Sequence, residues 1–320
     1  MIKLFKITDL KHTVFAQESF QAYLFDCQIV FTNNIAEADI LMAHKMKENI
    51  FGAIYKTLQD NNIPLKPILL WTHEPRFSPT KESKFVDTNG FTIHNMNLYT
   101  GDVYFSNYSI YGHLLKGHVK ALNTIEFSKI PVVGLSTYIE QENKEFILNG
   151  KNIDLTERRQ RLLVKGRELG IVDIYGKSWP SGLSISESRG AGWRQIKEGI
   201  LRNYQFNICL ENTGYPYYCT EKIWDSIKWG CLPIYSSFNN NIYEIFAEKS
   251  FIDTVDFTDD NELYNYIRSM SPQEYLDCMN SCISTFNHIS SHINFKSERK
   301  PTLDAIIKKI MEIYSQDVIK

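Results

Sequence analysis

The first half of the chain sets short apolar runs between polar loops. IKLFKI (Ile2 to Ile7), CQIVFT, ADILMAH and the ILLW of KPILLWTHEP (Ile68 to Trp71) are of strand length and rich in Ile, Val, Leu and Phe. Such runs suit buried strands. The polar NNIAEA leads into the third. Pro75 ends the fourth, because it cannot donate to a sheet ladder and pushes Glu74 towards extended backbone. GDVYFSNYS reads as a further strand.

The second half is more regular. TERRQRLLVKGREL predicts an amphipathic helix with Leu162, Leu163 and Leu169 to bury, and IVDIYG a strand ending at Gly176. GWRQIKEGILRNY predicts a helix and QFNICLEN a strand. TEKIWDSIKWG predicts a helix with Thr220 as N-cap and Gly230 as C-cap. CLPIYS follows as a strand, then NELYNYIRS and SPQEYLDCMNSCISTF as helices. PTLDAIIKKIMEIY places Leu303, Ile306, Ile307, Ile310 and Tyr314 at helical spacing, with Pro301 near its start. Strands alternating with helices predict an α/β fold on parallel sheets. A length of 320 residues suits two domains. The polar, Asn-Gly-containing QENKEFILNGKNIDL is the expected boundary, dividing the chain into 1–148 and 149–320.

Composition narrows the partners. The formal net charge is -2, so no global field draws nucleic acid or an acidic membrane. An anionic ligand must meet a local cluster of Lys and Arg. No apolar run approaches the ~20 residues of a membrane span. The N-terminal MIKLFKITDLKHTVF carries no signal-peptide apolar core. The expectation is a soluble, cytoplasmic protein, with peripheral membrane association left open and no expectation for the oligomeric state. Six Cys show no framework spacing. Cys278 and Cys282, four apart with no matching pair, make a weak zinc case and read as buried thiols. The many Tyr suit half-buried core, and in a cleft they suit sugars or bases.

Candidate chemistry concentrates in FNICLENTGYPYYCTEKIWDSIKWGCLPIY, Phe206 to Tyr235. A strand ends near Asn212 and a helix begins after Thr220. Ligands of open α/β sheets bind beyond the carboxyl ends of strands, beside helix N-termini. A helix N-terminus favours phosphate. A capped helix explains Thr220 and Glu221, but not a cation, Lys222, in the first turn against the dipole. Nor does it explain Glu211 and Asn212 at a strand end. Physics alone takes the stretch to an anion or nucleotide site.

The same stretch closely resembles the signature of α1,3/α1,4-fucosyltransferases (glycosyltransferase family 10), departing mildly at Leu210 and Ser226. ERRQRLLVKGRELGIVDIYGK resembles that family's Arg-rich helix and following strand. WTHEPRF and GDVYFSNYS are similar to its N-terminal Glu loop and next strand. The resemblance implies the GT-B fold, two Rossmann-like domains facing across a cleft, with the acceptor on the N-terminal domain and GDP-fucose on the C-terminal one. It implies an inverting transfer of fucose to a glycan hydroxyl, O3 of GlcNAc or a related sugar.

Glu74 is the implied base, with His73 its rival because an imidazole titrates near neutrality. Arg159 and Lys222 would stabilise the leaving diphosphate, with Arg158 and Arg161 as rivals of Arg159. Asn212 and Tyr218 would hold the donor and Glu221 its hydroxyls, with backbone approach at Gly176. Glu211 would orient the loop. There is no Asp-x-Asp, Glu37-Ala38-Asp39 being nearest, so no cofactor or essential divalent metal is expected. A GT-B enzyme using another nucleotide sugar and a non-catalytic glycan- or nucleotide-binding protein are the alternatives.

Overall fold

The computed structural model describes residues 1–10, 13–75, 80–140, 145–187, 190–293 and 300–319. The chain divides into two compact units, Met1–Phe105 with Phe295–Lys320, and Ser106–Asn294.

In the first unit the strands are β1 (Ile2–Lys6), β2 (Ile29–Phe31), β3 (Ile40–Ala43), β4 (Ile68–Trp71), β5 (Lys84–Val86) and β6 (Thr92–Met96). They form one sheet in the order β2-β1-β3-β4-β6-β5. Every pairing is parallel except β5 with β6. β3 and β4 are buried along their whole length, which is why they read as unbroken apolar runs. Helices α1 (Glu18–Asp26) and α2 (Glu48–Asp60) connect strands, and Phe51 and Leu58 of α2 pack on Leu41, Ile68 and Ile93.

The second unit holds β7 (Val132–Leu135), a small hairpin of β8 (Ile147–Leu148) and β9 (Lys151–Asn152), then α3 (Thr156–Glu168), β10 (Val172–Tyr175) and β11 (Ser184–Ser186). It continues with α4 (Trp193–Leu201), β12 (Phe206–Ile208), α5 (Glu221–Lys228), β13 (Leu232–Tyr235), β14 (Ile252–Asp253), α6 (Asp260–Ser269) and α7 (Pro272–His292). Its main sheet is wholly parallel, ordered β11-β10-β7-β12-β13-β14. The chain builds outwards from β7 to β11, returns, and builds outwards again from β12. This is the doubly wound Rossmann order, with its switch point between β7 and β12. Gly134 in β7 lets α3 lie close, since a Cβ there would stand 2.0 Å from Leu163 Cδ2. The α/β class and the two Rossmann-like units are those read from the sequence.

The division of the chain differs from the expected 148/149 boundary. Residues 106–131 belong to the second unit. Asn280 and Asn287 of α7, two turns apart on one face, hold this segment through paired bonds to the backbone N–H and C=O of Leu122 and Val119. The last helix, α8 (Lys300–Ile313), returns to the first unit. Its Leu303, Ile306 and Ile310 are buried. Thr302 Oγ1 donates to the Val103 carbonyl, and Asp317 meets both Lys84 and His94. Apolar periodicity predicts that α8 is a helix, but not which sheet it covers.

Two local readings also change. GDVYFSNYS is not a strand: Ser109 N–H donates to the Ser106 carbonyl and Ser106 N–H to Ser109 Oγ. Serine side chains there compete for backbone groups that a ladder would need. Thr220 does occupy the N-cap position of α5, but its side chain makes no capping bond, and Gly230 lies one residue beyond the C-cap Trp229 with φ +91°.

Candidate functional site

The carboxyl ends of β7 and β12 are where a doubly wound sheet presents a ligand site, and most of the proposed donor residues lie there. β12 runs into Glu211 and Asn212. The Glu211 carboxylate, 2% exposed, accepts from Thr220 N–H at 2.8 Å and from Thr220 Oγ1 at 2.8 Å. This explains why Thr220 caps nothing. Lys222 Nζ donates to Glu211 Oε2 at 2.8 Å and to Thr220 Oγ1 at 2.7 Å. An ammonium has three donors, so these bonds use two and aim the group while one proton remains for a ligand.

Arg159 is the member of the Arg cluster that reaches this corner. Buried on α3, it donates to the Leu210 carbonyl at 2.8 Å and to Asn212 Oδ1 at 3.1 Å. Arg158 instead binds the Thr254 carbonyl, and Arg161 pairs with Asp260 at 2.8 Å. Tyr218 is 2% exposed, and its carbonyl accepts from Asn240 Nδ2. Gly176 ends β10 with φ +154°, and a Cβ there would stand 1.9 Å from the Ser136 carbonyl oxygen. The close approach that requires glycine is therefore to the chain's own backbone.

Charge is nearly balanced at the corner. Burial pushes the Glu221 carboxyl up, but Lys222 and Lys197 outweigh it and bring it down to about 2. Burial likewise works against the Lys222 ammonium, yet Glu211 and Glu221 hold it above its ordinary value. Burial raises Asp225 despite its 2.7 Å pair with Lys197. A cavity of ≈ 20 Å³ is lined by Leu135, Asn207, Leu210, Arg159, Lys197 and Lys222. That is about the room one water needs.

Sequence reasoning missed Lys197 and Asn207. Lys197 sits four residues before the buried Leu201 on the apolar stripe of α4, and a lysine in a buried stripe signals a paired charge. Asn207 lies within a wholly buried strand, where its amide donates to Ser226 Oγ at 2.8 Å. Glu74 and His73 fall in the first unit, just past β4. There His73 meets His44, a residue the sequence reading passed over. Glu37 and Asp39, the nearest thing to an Asp-x-Asp, are both engaged by Lys3.

Two Rossmann-like units in one chain, with cations and a helix N-terminus at a switch point, make up the GT-B fold. Residues 139–279 match the family described as glycosyltransferase family 10 (fucosyltransferase), C-terminal. That segment, which lies within the second unit, is therefore similar to a family 10 C-terminal domain. Over 85 residues, 26% of the chain, it is 35% identical to alpha-(1,3)-fucosyltransferase FucT of Helicobacter pylori. The match spans 18% of that relative's length. Among solved structures, an α1,3-fucosyltransferase aligns over 98% of this chain and 89% of its own, at 14% identity and a TM-score of 0.49. The T4 phage β-glucosyltransferase aligns over 97% and 99%, at 10% identity and a TM-score of 0.47. Among the described residues, no helix is long and apolar enough to cross a membrane.

Proposed function

We propose that this chain is an inverting fucosyltransferase that moves L-fucose from GDP-fucose to a hydroxyl of a glycan acceptor, O3 of GlcNAc or a related sugar. The observation that carries the reading is Lys222. It stands in the first turn of α5 at the switch point, within the segment that matches family 10, aimed by Glu211 and Thr220. The GDP diphosphate lies on the Lys222 ammonium and the α5 N–H groups, where both fixed charge and helix dipole favour an anion. Arg159 orients Asn212 and adds a second fixed positive charge beside Lys222. Glu221, ionised throughout the physiological range, accepts from ribose or fucose hydroxyls. Tyr218 completes the donor side, and Gly176 serves it by letting the chain after β10 close on the Ser136 carbonyl.

The chemistry is a single displacement. Glu74 takes the proton of the acceptor hydroxyl, whose oxygen forms the new bond to the anomeric carbon. The bond to the diphosphate oxygen breaks on the opposite face, and GDP leaves with the electron pair. The transition state is oxocarbenium-like, and its growing negative charge on the diphosphate meets cations already in place. Those cations take the part a divalent metal plays in Asp-x-Asp enzymes, and the reaction runs without one.

The test incubates the protein with GDP-fucose and GlcNAc-, LacNAc- and Glc-terminated acceptors, with and without EDTA, and measures GDP and product mass. Fucosylated product, unaffected by EDTA, is expected. Turnover only with another nucleotide sugar would replace GDP-fucose as donor, and binding without turnover of any donor would mark a non-catalytic protein. In the same assay Glu74→Gln should lower kcat by about a hundredfold or more, as loss of a general base does, while GDP affinity holds.

A further inference from the structure

A second constellation lies at the carboxyl edge of the first sheet, where three neighbouring strands β1, β3 and β4 end side by side. Thr8 follows β1, His44 follows β3, and His73 lies just past β4. His44 Nε2 and His73 Nδ1 are 2.6 Å apart. The ring planes agree within 10°, with centroids 4.4 Å apart. The two imidazoles stack nearly parallel, and one hydrogen bond joins them. The His44 N–H donates to Thr8 Oγ1 at 2.8 Å, and the Trp71 ring packs beside both imidazoles. His44 is 8% exposed.

The backbone between His73 and Pro75 is pinned independently. Tyr104 OH donates to the His73 carbonyl at 3.4 Å and Tyr99 OH to that of Pro75 at 2.9 Å. Glu74 sits between the two pinned carbonyls. Beside it, Thr72 Oγ1 and Trp71 Nε1 are buried without a hydrogen-bond partner among the described residues. A buried polar group left unpaired calls for an explanation, a functional role being one.

We propose that His44 is a positioning residue for the acceptor end of the reaction. One proton shared between the imidazoles requires one ring to donate and the other to accept. That couples the tautomer of His73 to that of His44 and holds the two rings together. With the His73 side chain held by His44 and the flanking carbonyls held by Tyr104 and Tyr99, the backbone that carries Glu74 is held on both sides. The inference rests on the fucosyl-transfer reading, in which Glu74 is the base.

The test compares wild type, His44→Phe and His44→Gln. Phenylalanine keeps a ring against Trp71 and removes the bond. Glutamine restores a donor and acceptor near the lost nitrogen. Transfer should fall about tenfold or more in kcat for His44→Phe, the scale of a misplaced catalytic group, with KM for GDP-fucose unchanged and much of the loss recovered by His44→Gln. Nitrogen-15 NMR of the imidazoles should show a hydrogen-bonded Nδ1 of His73 in wild type and the loss of that signature in His44→Phe. Unchanged kcat in His44→Phe, a rise in KM for GDP-fucose that parallels the loss of kcat in both variants, or an unchanged His73 Nδ1 signal in His44→Phe would overturn the inference alone. Wild type that transfers no fucose from GDP-fucose would overturn the fucosyl reading and this inference with it.

Discussion

At the scale of single residues, the donor corner is a set of charges arranged before any ligand arrives. Sequence chemistry reaches Lys222 because a cation in a first helical turn opposes the dipole and needs another reason to be there. It does not reach the partner that makes Lys222 useful: Glu211 lies eleven residues earlier and is joined to it only when the loop folds back. The choice among Arg158, Arg159 and Arg161 is likewise open in the sequence, and the fold brings Arg159 alone of the three to Leu210 and Asn212. Glu221 carries a pH prediction. Its folded carboxyl, at about 2, lies below the ordinary 4.5. The unfolded state therefore takes up the proton first as pH falls, so the contribution is complete above 4.5 and is lost on the way down to about 2. Denaturant midpoints measured across that range should fall less steeply in Glu221→Gln than in wild type, and identical slopes would remove the assignment.

At the scale of elements, hydrophobic period gives β1 to β4, β10, β12, β13 and helices α3 to α8, but it passes over α1, α2, the buried apolar β7 and the short or polar strands. TIHNM, which forms β6, carries His94 and Asn95 inside a buried strand, so its pattern does not announce itself. The polar residues are accommodated by bonds from other elements, His94 by Asp317 and the Asn95 amide by the Thr80 and Glu82 carbonyls. Glycines show the opposite conflict between local preference and packing. Gly166 lies within α3, where alanine would gain about 1 kcal/mol of helix propensity. Yet a Cβ there would stand 2.1 Å from Val172 Cγ2 and 2.8 Å from the Tyr264 ring. Gly166→Ala should therefore destabilise by about 1–3 kcal/mol through overpacking, read as a lower denaturant midpoint, and a gain in stability would contradict this packing of α3.

At the scale of the whole molecule, sequence predicts two domains but not how the chain is shared between them. Residues 106–131 contain no strand or long helix to reveal their allegiance, which is set by the Asn280 and Asn287 side chains on another element. The return of α8 to the first unit is equally non-local. Ile310 is completely buried in α8, and Ile310→Ala should cost about 2–5 kcal/mol, the range for such core truncations. Hydrogen exchange should place that loss in the first unit, with amides of β3 and β4 exposed sooner and those of β7 and β12 unchanged. Loss confined to the second unit would contradict the division.

The central claim is that the Thr220–Lys222 corner binds the donor's diphosphate, and calorimetric titration of GDP and GMP tests it most directly. Lys222→Met with Glu211→Gln removes both members of the buried pair together, so that no unpaired charge is left inside. The account predicts that this variant stays folded and binds GDP at least about tenfold more weakly, a change of ~1.4 kcal/mol. GMP, which lacks the β-phosphate, should bind wild type and variant alike. Equal GDP affinity in the two folded proteins would contradict the account.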